Sequence, residues 1–312
     1  VTVAACGGGP TFEHGLPEAN AALDAALEAG SGMAAFESLL ARYPSSYEVK
    51  LEYAHRAASA GNNAQALQTF EELSRADSAD KAAARKLAAL CLFVGQLDRA
   101  AVPIASLLLD QPTSDDQVLA ARLAHARGDL VEAEARGRAA VAADSKNSAA
   151  HFELALILLD GEAPESPAVE AELKAALASD PGLAEAHYAL GTWLLQADDE
   201  AAGKRQLETS QLARELTAPA FLKVAPQERM QRAYQIGARL PKWSQPLLEI
   251  ARAELELGRP KKAEASLALA AKLVPNTPER AKLLYATAKA RGDQAQAKKR
   301  LKEWRAARLA AL

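Results

Sequence analysis

Five glycines punctuate this chain at nearly constant intervals, and that regularity constrains the fold more than any other feature. Gly61, Gly95, Gly128, Gly258 and Gly292 open the segments GNNAQAL, GQLDRAA, GDLVEAE, GRPKKAE and GDQAQAK. The spacings are 34, 33 and, beyond a gap, 34 residues, and an alanine follows each glycine by five: Ala66, Ala100, Ala133, Ala263 and Ala297. A turn residue and a small residue recurring at such a period mark a helix–turn–helix unit whose apolar face is covered by the next copy. Composition agrees. Hydrophobic residues make up 49% of the chain but aromatics only 5%, and an alanine-rich apolar fraction favours helix and lets helices approach closely. No stretch approaches the roughly 20 apolar residues needed to span a bilayer.

The best-preserved copies lie mid-chain. AEAHYALGTWLL (184–195) carries the pair Leu190-Gly191, and SAAHFELALILL (148–159) places His151, Leu154 and Ala155 at the corresponding positions. Pro44, Pro112, Pro181 and Pro275 each stand just beyond a helix that they cannot continue. With these motifs and this period, the chain resembles the tetratricopeptide repeat family over most of its length. The resemblance implies an all-α solenoid, a right-handed superhelix of helix–turn–helix hairpins. Units are expected near 46–80, 81–113, 114–147, 148–183, 184–217, 244–277 and 278–312, with a degenerate unit near 13–45 capping the N-terminal end.

Two departures stand out. GEAPESPAVE (161–170) inserts an extra turn with two prolines between the paired helices of one unit. Residues 218–243 are too few for a full unit, contain Pro219, Pro226 and Pro241, and leave room for one unpaired helix near 227–240, either a linker or a wedge packed by Trp243. Charge changes sign there. Residues 1–220 hold 17 Lys and Arg against 32 Asp and Glu, whereas residues 221–312 hold 20 against 8. The expected organisation is therefore an end segment (1–12), an acidic body (13–217), an irregular insert helix (218–243) and a basic pair of units with its cap (244–312). Opposite fields at the two ends steer charged partners, unless the solvated faces merely vary in charge.

Val3-Ala4-Ala5-Cys6 resembles the lipobox of bacterial lipoproteins, and Gly7-Gly8-Gly9-Pro10 reads as a flexible tether. That resemblance implies an acylated Cys6 that anchors the chain in a membrane leaflet. Gly7 stands where an aspartate would mark inner-membrane retention, so the implied address is the periplasmic face of the outer membrane. Cys91, the other cysteine, lies among Leu90, Leu92 and Phe93 and reads as a buried small hydrophobe.

No catalytic constellation is present: no Gly-rich phosphate loop, no His-Glu-x-x-His pair and no Cys-x-x-Cys spacing. The chain reads as non-enzymatic, with no cofactor, metal or small-molecule substrate expected. The five histidines are scattered, and His151 and His187 share one repeat position, which points to packing. In tetratricopeptide arrays the first helix of each unit lines the groove. Carried over residue by residue, that rule selects Leu51, His55, Arg85, Phe93, Val118, Arg122, His125, Phe152, Leu156, Tyr188 and Thr192. This mixed lining suits an extended peptide or a partner helix with an occasional carboxylate. Asparagine is absent from these positions, which argues against a chaperone-tail clamp. Lys298, Lys299, Arg300, Lys302, Arg305 and Arg308 form a basic C-terminal face beside Leu301 and Trp304, which fall where a second helix packs inward. That helix is expected to cap the array; anionic lipid or an acidic protein is the next reading, and nucleic acid is disfavoured.

The function expected is a protein-binding scaffold or assembly factor, an outer-membrane lipoprotein serving an envelope machine such as a pilus, secretion or outer-membrane assembly apparatus. The alternatives are a soluble cytoplasmic adaptor that binds an acidic partner and a glycan-handling platform.

Overall fold

The computed structural model describes residues 11–76, 81–275 and 277–311, with the backbone alone for 309–311. Among the described residues are seventeen α-helices, one 3-10 turn and a single isolated bridge from Glu13 to Ser46. The chain divides into two compact units, Val1–Ser145 and Lys146–Leu312. The first holds four hairpins: α1 (Pro17–Glu28) with α2 (Met33–Arg42), α3 (Tyr47–Ser59) with α4 (Asn63–Ala76), α5 (Lys81–Phe93) with α6 (Leu97–Leu108), and α7 (Ser114–Ala126) with α8 (Leu130–Ala143). The second begins with α9 (Ser148–Leu159) and α10 (Pro167–Ser179), followed by α11 (Ala184–Gln196) and α12 (Glu200–Thr217). A 3-10 turn (Phe221–Lys223) and α13 (Pro226–Arg239) come next, then α14 (Gln245–Glu256) with α15 (Pro260–Leu273) and α16 (Pro278–Ala290) with α17 (Gln294–Ala311).

The periodic glycines end the first helix of each hairpin. Gly61, Gly95, Gly128, Gly258 and Gly292 all have φ between 70° and 81°, a left-handed conformation that costs a residue with a Cβ about 1–2 kcal/mol. Around Gly95 the hydrogen bonds are those of a Schellman closure: Gly95 N–H donates to Leu92 O at 3.1 Å and Gln96 N–H to Cys91 O at 2.8 Å. The same pair of bonds recurs at the other four glycines. The α11–α12 hairpin uses Asp198 instead, at φ 62°, with Asp199 N–H donating to Leu194 O at 2.9 Å. A turn of fixed geometry recurs at every hairpin but α9–α10, which carries the extra turn.

The alanine five residues on lies where the second helix crosses the first. Ala66, Ala100, Ala133 and Ala263 are fully buried and Ala297 nearly so. Between α11 and α12 even a methyl is crowded. A Cβ on Gly191 would stand 3.0 Å from the carbonyl oxygen of Gly203, and one on Gly203 would stand 2.9 Å from that of Gly191. The extra turn after α9 is fastened by the next hairpin, where Trp193 Nε1 donates to Pro164 O at 3.0 Å.

The helix expected to be unpaired is not. Apolar residues one turn apart give α13 a buried stripe, Ala233 and Ile236, that joins Ala213 and Leu216 of α12 and Ile250 of α14 in one core, together with Phe221 and Leu240. Trp243 packs against this cluster and lies so close to Gly182 that a Cβ there would fall 1.9 Å from the indole. Residues 218–243 therefore sit as a packed wedge inside the second compact unit.

Candidate binding surface

The first helices of the hairpins carry the candidate groove residues, and the structure sorts them into three groups. Leu51 and Val118 are buried, each 4% exposed, and are corrected from groove lining to core. The physical reason is lateral packing: first helices also touch one another (α1 with α3, α5 with α7), so side chains on that shoulder turn inward. Arg85 is committed within the protein. Its guanidinium makes a two-pronged pair with the buried carboxylate of Asp116, Nε at 2.7 Å and Nη2 at 3.1 Å. Asp116 also closes the capping box of α7 with Thr113, so Arg85 staples one hairpin to the start of the next. Burial pushes the Asp116 carboxyl up, but the bonds from Arg85 and Thr113 outweigh it and hold the group below the usual aspartate value.

The remaining candidates keep solvent contact. In the first unit these are His55, Phe93, Arg122 and His125, with Phe93 81% exposed at the end of α5. His55 retains accessible surface, yet the atoms around it strip part of its hydration and lower its pKa, and the charge of Lys86 on α5 lowers it further. In the second unit, Phe152 and Leu156 of α9 are half-buried. Tyr188 of α11 is 50% exposed, with the Arg214 guanidinium 5.4 Å from its ring centroid. Thr192 turns its hydroxyl back on its own helix, donating to Ala189 O at 2.9 Å. Leu195, one turn beyond Thr192 on α11, is 37% exposed and belongs to the same face. The solvent-accessible candidates thus differ between the units: His55, Phe93, Arg122 and His125 in the first, Phe152, Leu156, Tyr188 and Thr192 in the second.

Other sequence expectations find their places. His151 and His187 are both buried at equivalent positions and bridge the two helices of their hairpins. Nδ1 of each lies 2.6 Å from an oxygen of the second helix, Glu172 Oε2 and Gln206 Oε1 respectively. Cys91 is fully buried, and burial pushes its thiol pKa up, which suits a packing residue and not a nucleophile. On α17 Trp304 is buried and stacks on Tyr285 at 5.9 Å. Lys298, Lys299 and Lys302 are exposed, while Arg300, Arg305 and Arg308 are half-buried and Arg300 pairs with Glu303 at 2.6 Å. Cys6 lies outside the described residues. Among the described residues no helix is long and apolar enough to cross a membrane, and no three His, Cys, Asp or Glu side chains are placed to hold a metal ion.

Sequence reasoning missed Arg229. It lies on the buried side of α13, 1% exposed, and pairs with Glu256 of α14. Its signal was available: in PQERMQRAYQIGAR, Arg229 falls in line with the inward Ala233 and Ile236.

No protein-family model matches this chain, and no curated protein matches it. Solved structures do. One is YrrB, a TPR protein with an unusual peptide-binding site, 16% identical over 59% of this chain and 94% of that one, with a TM-score of 0.39. A second is pilF of Pseudomonas aeruginosa, 17% identical over 70% of this chain and 88% of that one, with a TM-score of 0.36. A third is a human IFIT1 dimer with PPP-AAAA, 17% identical over 90% of this chain and 68% of that one, with a TM-score of 0.48. At these values no function transfers. It is the left-handed glycine at each turn, the small residue at each crossing and the hairpin order, all measured on this chain, that make it an all-α solenoid of tetratricopeptide-type repeats.

Proposed function

We propose that this protein is a non-enzymatic scaffold that captures an extended segment or helix of a protein partner on the first-helix faces of its hairpins. The observation that carries the reading is the patch around Tyr188. A half-exposed aromatic ring, backed by a cation and followed on the same face of α11 by Thr192 and Leu195, is the kind of anchor that dominates protein interfaces. The face of the first unit adds Arg122, His125, His55 and Lys86, which suit carboxylates on the captured segment. Selection of a displayed peptide library on the purified full chain tests this. Enriched peptides should combine an aromatic or aliphatic anchor with acidic residues. Tyr188→Ala and Arg122→Glu should each weaken them at least tenfold while leaving helicity unchanged. Equal binding by both variants would remove the first-helix faces from the proposal.

We further propose that the scaffold is an outer-membrane lipoprotein held at Cys6 and serving an envelope assembly apparatus. Tethering raises the local concentration of the captured segment at the membrane. Mass spectrometry of the native N-terminus, with membrane fractionation, tests this half separately. A peptide that begins at lipid-modified Cys6 supports it. An unmodified chain in the soluble fraction transfers the reading to a cytoplasmic adaptor, for which the three exposed lysines of α17 supply a surface for an acidic partner.

A further inference from the structure

The length of α12 brings a cation to the candidate face of the second unit. α12 runs for 18 residues, Glu200–Thr217, whereas the second helices α4, α8 and α15 run for 14. A helix of 14 residues that began at Glu200 would end at Ala213, so Arg214 stands in the added turn. Its guanidinium lies 5.4 Å from the centroid of the Tyr188 ring on α11, where the ring face attracts a cation. Both side chains keep solvent contact: Tyr188 is 50% exposed, and Arg214 is exposed as well. The charge of Arg214 is not neutralised within the protein. Glu215, next to it in the chain, is held by Arg232 of α13 through bonds of 2.5 and 2.6 Å, and those bonds keep its carboxyl below the usual glutamate range. Glu185, one turn before Tyr188 on α11, is exposed and makes no ion pair with Arg214. Among the described residues no carboxylate lies within ion-pair distance of Arg214.

We propose that Arg214 sets the specificity of this face by binding an acidic side chain of the captured segment, beside the apolar side chain that packs on Tyr188. This role rests on capture at the first-helix faces and adds to it the chemistry that the second unit recognises. The ring supplies contact area, and the guanidinium presents a fork of N–H donors that matches a carboxylate. Because the ring already holds the guanidinium, less side-chain freedom is lost on binding than for a mobile arginine. The 5.4 Å between cation and ring also fixes a spacing. On an extended segment, side chains two residues apart share one face at roughly 6.6 Å. On a helix, side chains three or four residues apart lie roughly 5–6 Å from each other. The acidic residue therefore stands two positions from the anchor in an extended partner, and three or four in a helical one.

Peptide selection on the purified full chain separates this role from a structural one. Asp or Glu should recur at one fixed offset from the apolar anchor of the enriched peptides. Selection on Arg214→Glu should replace the acid at that offset with Lys or Arg, whereas selection on Arg122→Glu should leave it acidic. For a single enriched peptide, Arg214→Met should weaken binding about threefold to fivefold. The same peptide with its acid changed to the amide should bind the parent and Arg214→Met alike, and the difference should shrink in about 0.5 M salt. Should Arg214→Glu fray the last turn of α12, Arg214→Met keeps an unbranched apolar stem and should still remove the acidic preference. Peptides that depend on Tyr188 but show no acid at a fixed offset, or an acidic preference unchanged in both Arg214 variants, would overturn the role of Arg214 and leave capture standing. A library that yields no peptide dependent on Tyr188 would overturn both.

Discussion

The crossing of α11 and α12 gives the sharpest quantitative prediction. A Cβ on Gly191 would stand 2.9 Å from Cγ and Cδ2 of Leu207 and 3.0 Å from the carbonyl oxygen of Gly203. Leu207 is half-buried and can rotate away, but the Gly203 carbonyl is backbone and moves only with α12. Two effects then oppose each other. Alanine in place of glycine inside a helix gains about 1 kcal/mol of intrinsic propensity, while overpacking costs about 1–3 kcal/mol. Gly191→Ala should therefore fall between neutral and a loss of about 2 kcal/mol. Gly191→Leu has a similar intrinsic gain and three more carbons to place, so it should lose about 3 kcal/mol or more. Gly203→Ala meets the same gap from the other side, 2.9 Å from the Gly191 carbonyl. The two alanines together should cost less than the sum of the single changes, because the helices need to separate only once. Urea unfolding followed by far-ultraviolet circular dichroism reads all four variants. If Gly191→Leu unfolded at the parental midpoint, or both alanines stabilised additively, the two glycines would not meet and the repeat register would be wrong.

Glu249 is buried, with Oε2 lacking a partner and its pKa raised by burial above 4.5. A carboxyl that holds its proton more tightly when folded favours folding below its unfolded pKa, and that contribution is lost as pH rises through the folded value. Glu249→Gln should therefore raise the melting temperature at pH 8, with the gain fading towards pH 4; a pH-independent difference would refute the assignment. Cys91 should react with a maleimide only as fast as its hairpin opens, so quantitative peptide mapping should find it protected in the native protein and labelled at the unfolding rate in urea. Gly182→Ala cannot place its methyl without moving Trp243, and should shift the tryptophan emission and lower stability by about 1–3 kcal/mol; an unchanged spectrum would mean that the indole does not cover Gly182.

Much of the fold was legible because its strongest rules are local. Gly95 and its counterparts reveal themselves in sequence because only a residue without a Cβ sits easily at positive φ, and Ala100 and its counterparts because the crossing admits little else. Pro44, Pro112, Pro181 and Pro275 bound units for an equally local reason. The insert was only half legible. Pro226 starts α13 as proline at a first helical position should, but nothing local says that Ala233 and Ile236 meet Ala213 and Ile250. The surface was the least legible part. Repeat position alone put Leu51, Arg85 and Val118 in the groove. The fate of Arg85 depends on a carboxylate 31 residues away, and that of Leu51 and Val118 on lateral contacts between helices of different hairpins. Gly203, the partner of Gly191, follows it by twelve residues and could have been read as the second half of the crossing; Arg229 could have been read from its alignment with an apolar stripe.

The central claim, capture of a partner on the first-helix faces, is tested most directly by a photo-reactive amino acid placed at single sites in cells that make this protein. One probe replaces Tyr188, on the first helix of its hairpin, and a control replaces Leu269, 49% exposed on the second helix α15. A discrete adduct from the Tyr188 site and none from Leu269, mapped by mass spectrometry to one segment of one partner, is the predicted result. Adducts of the same partner from both sites, or from Leu269 alone, would contradict it.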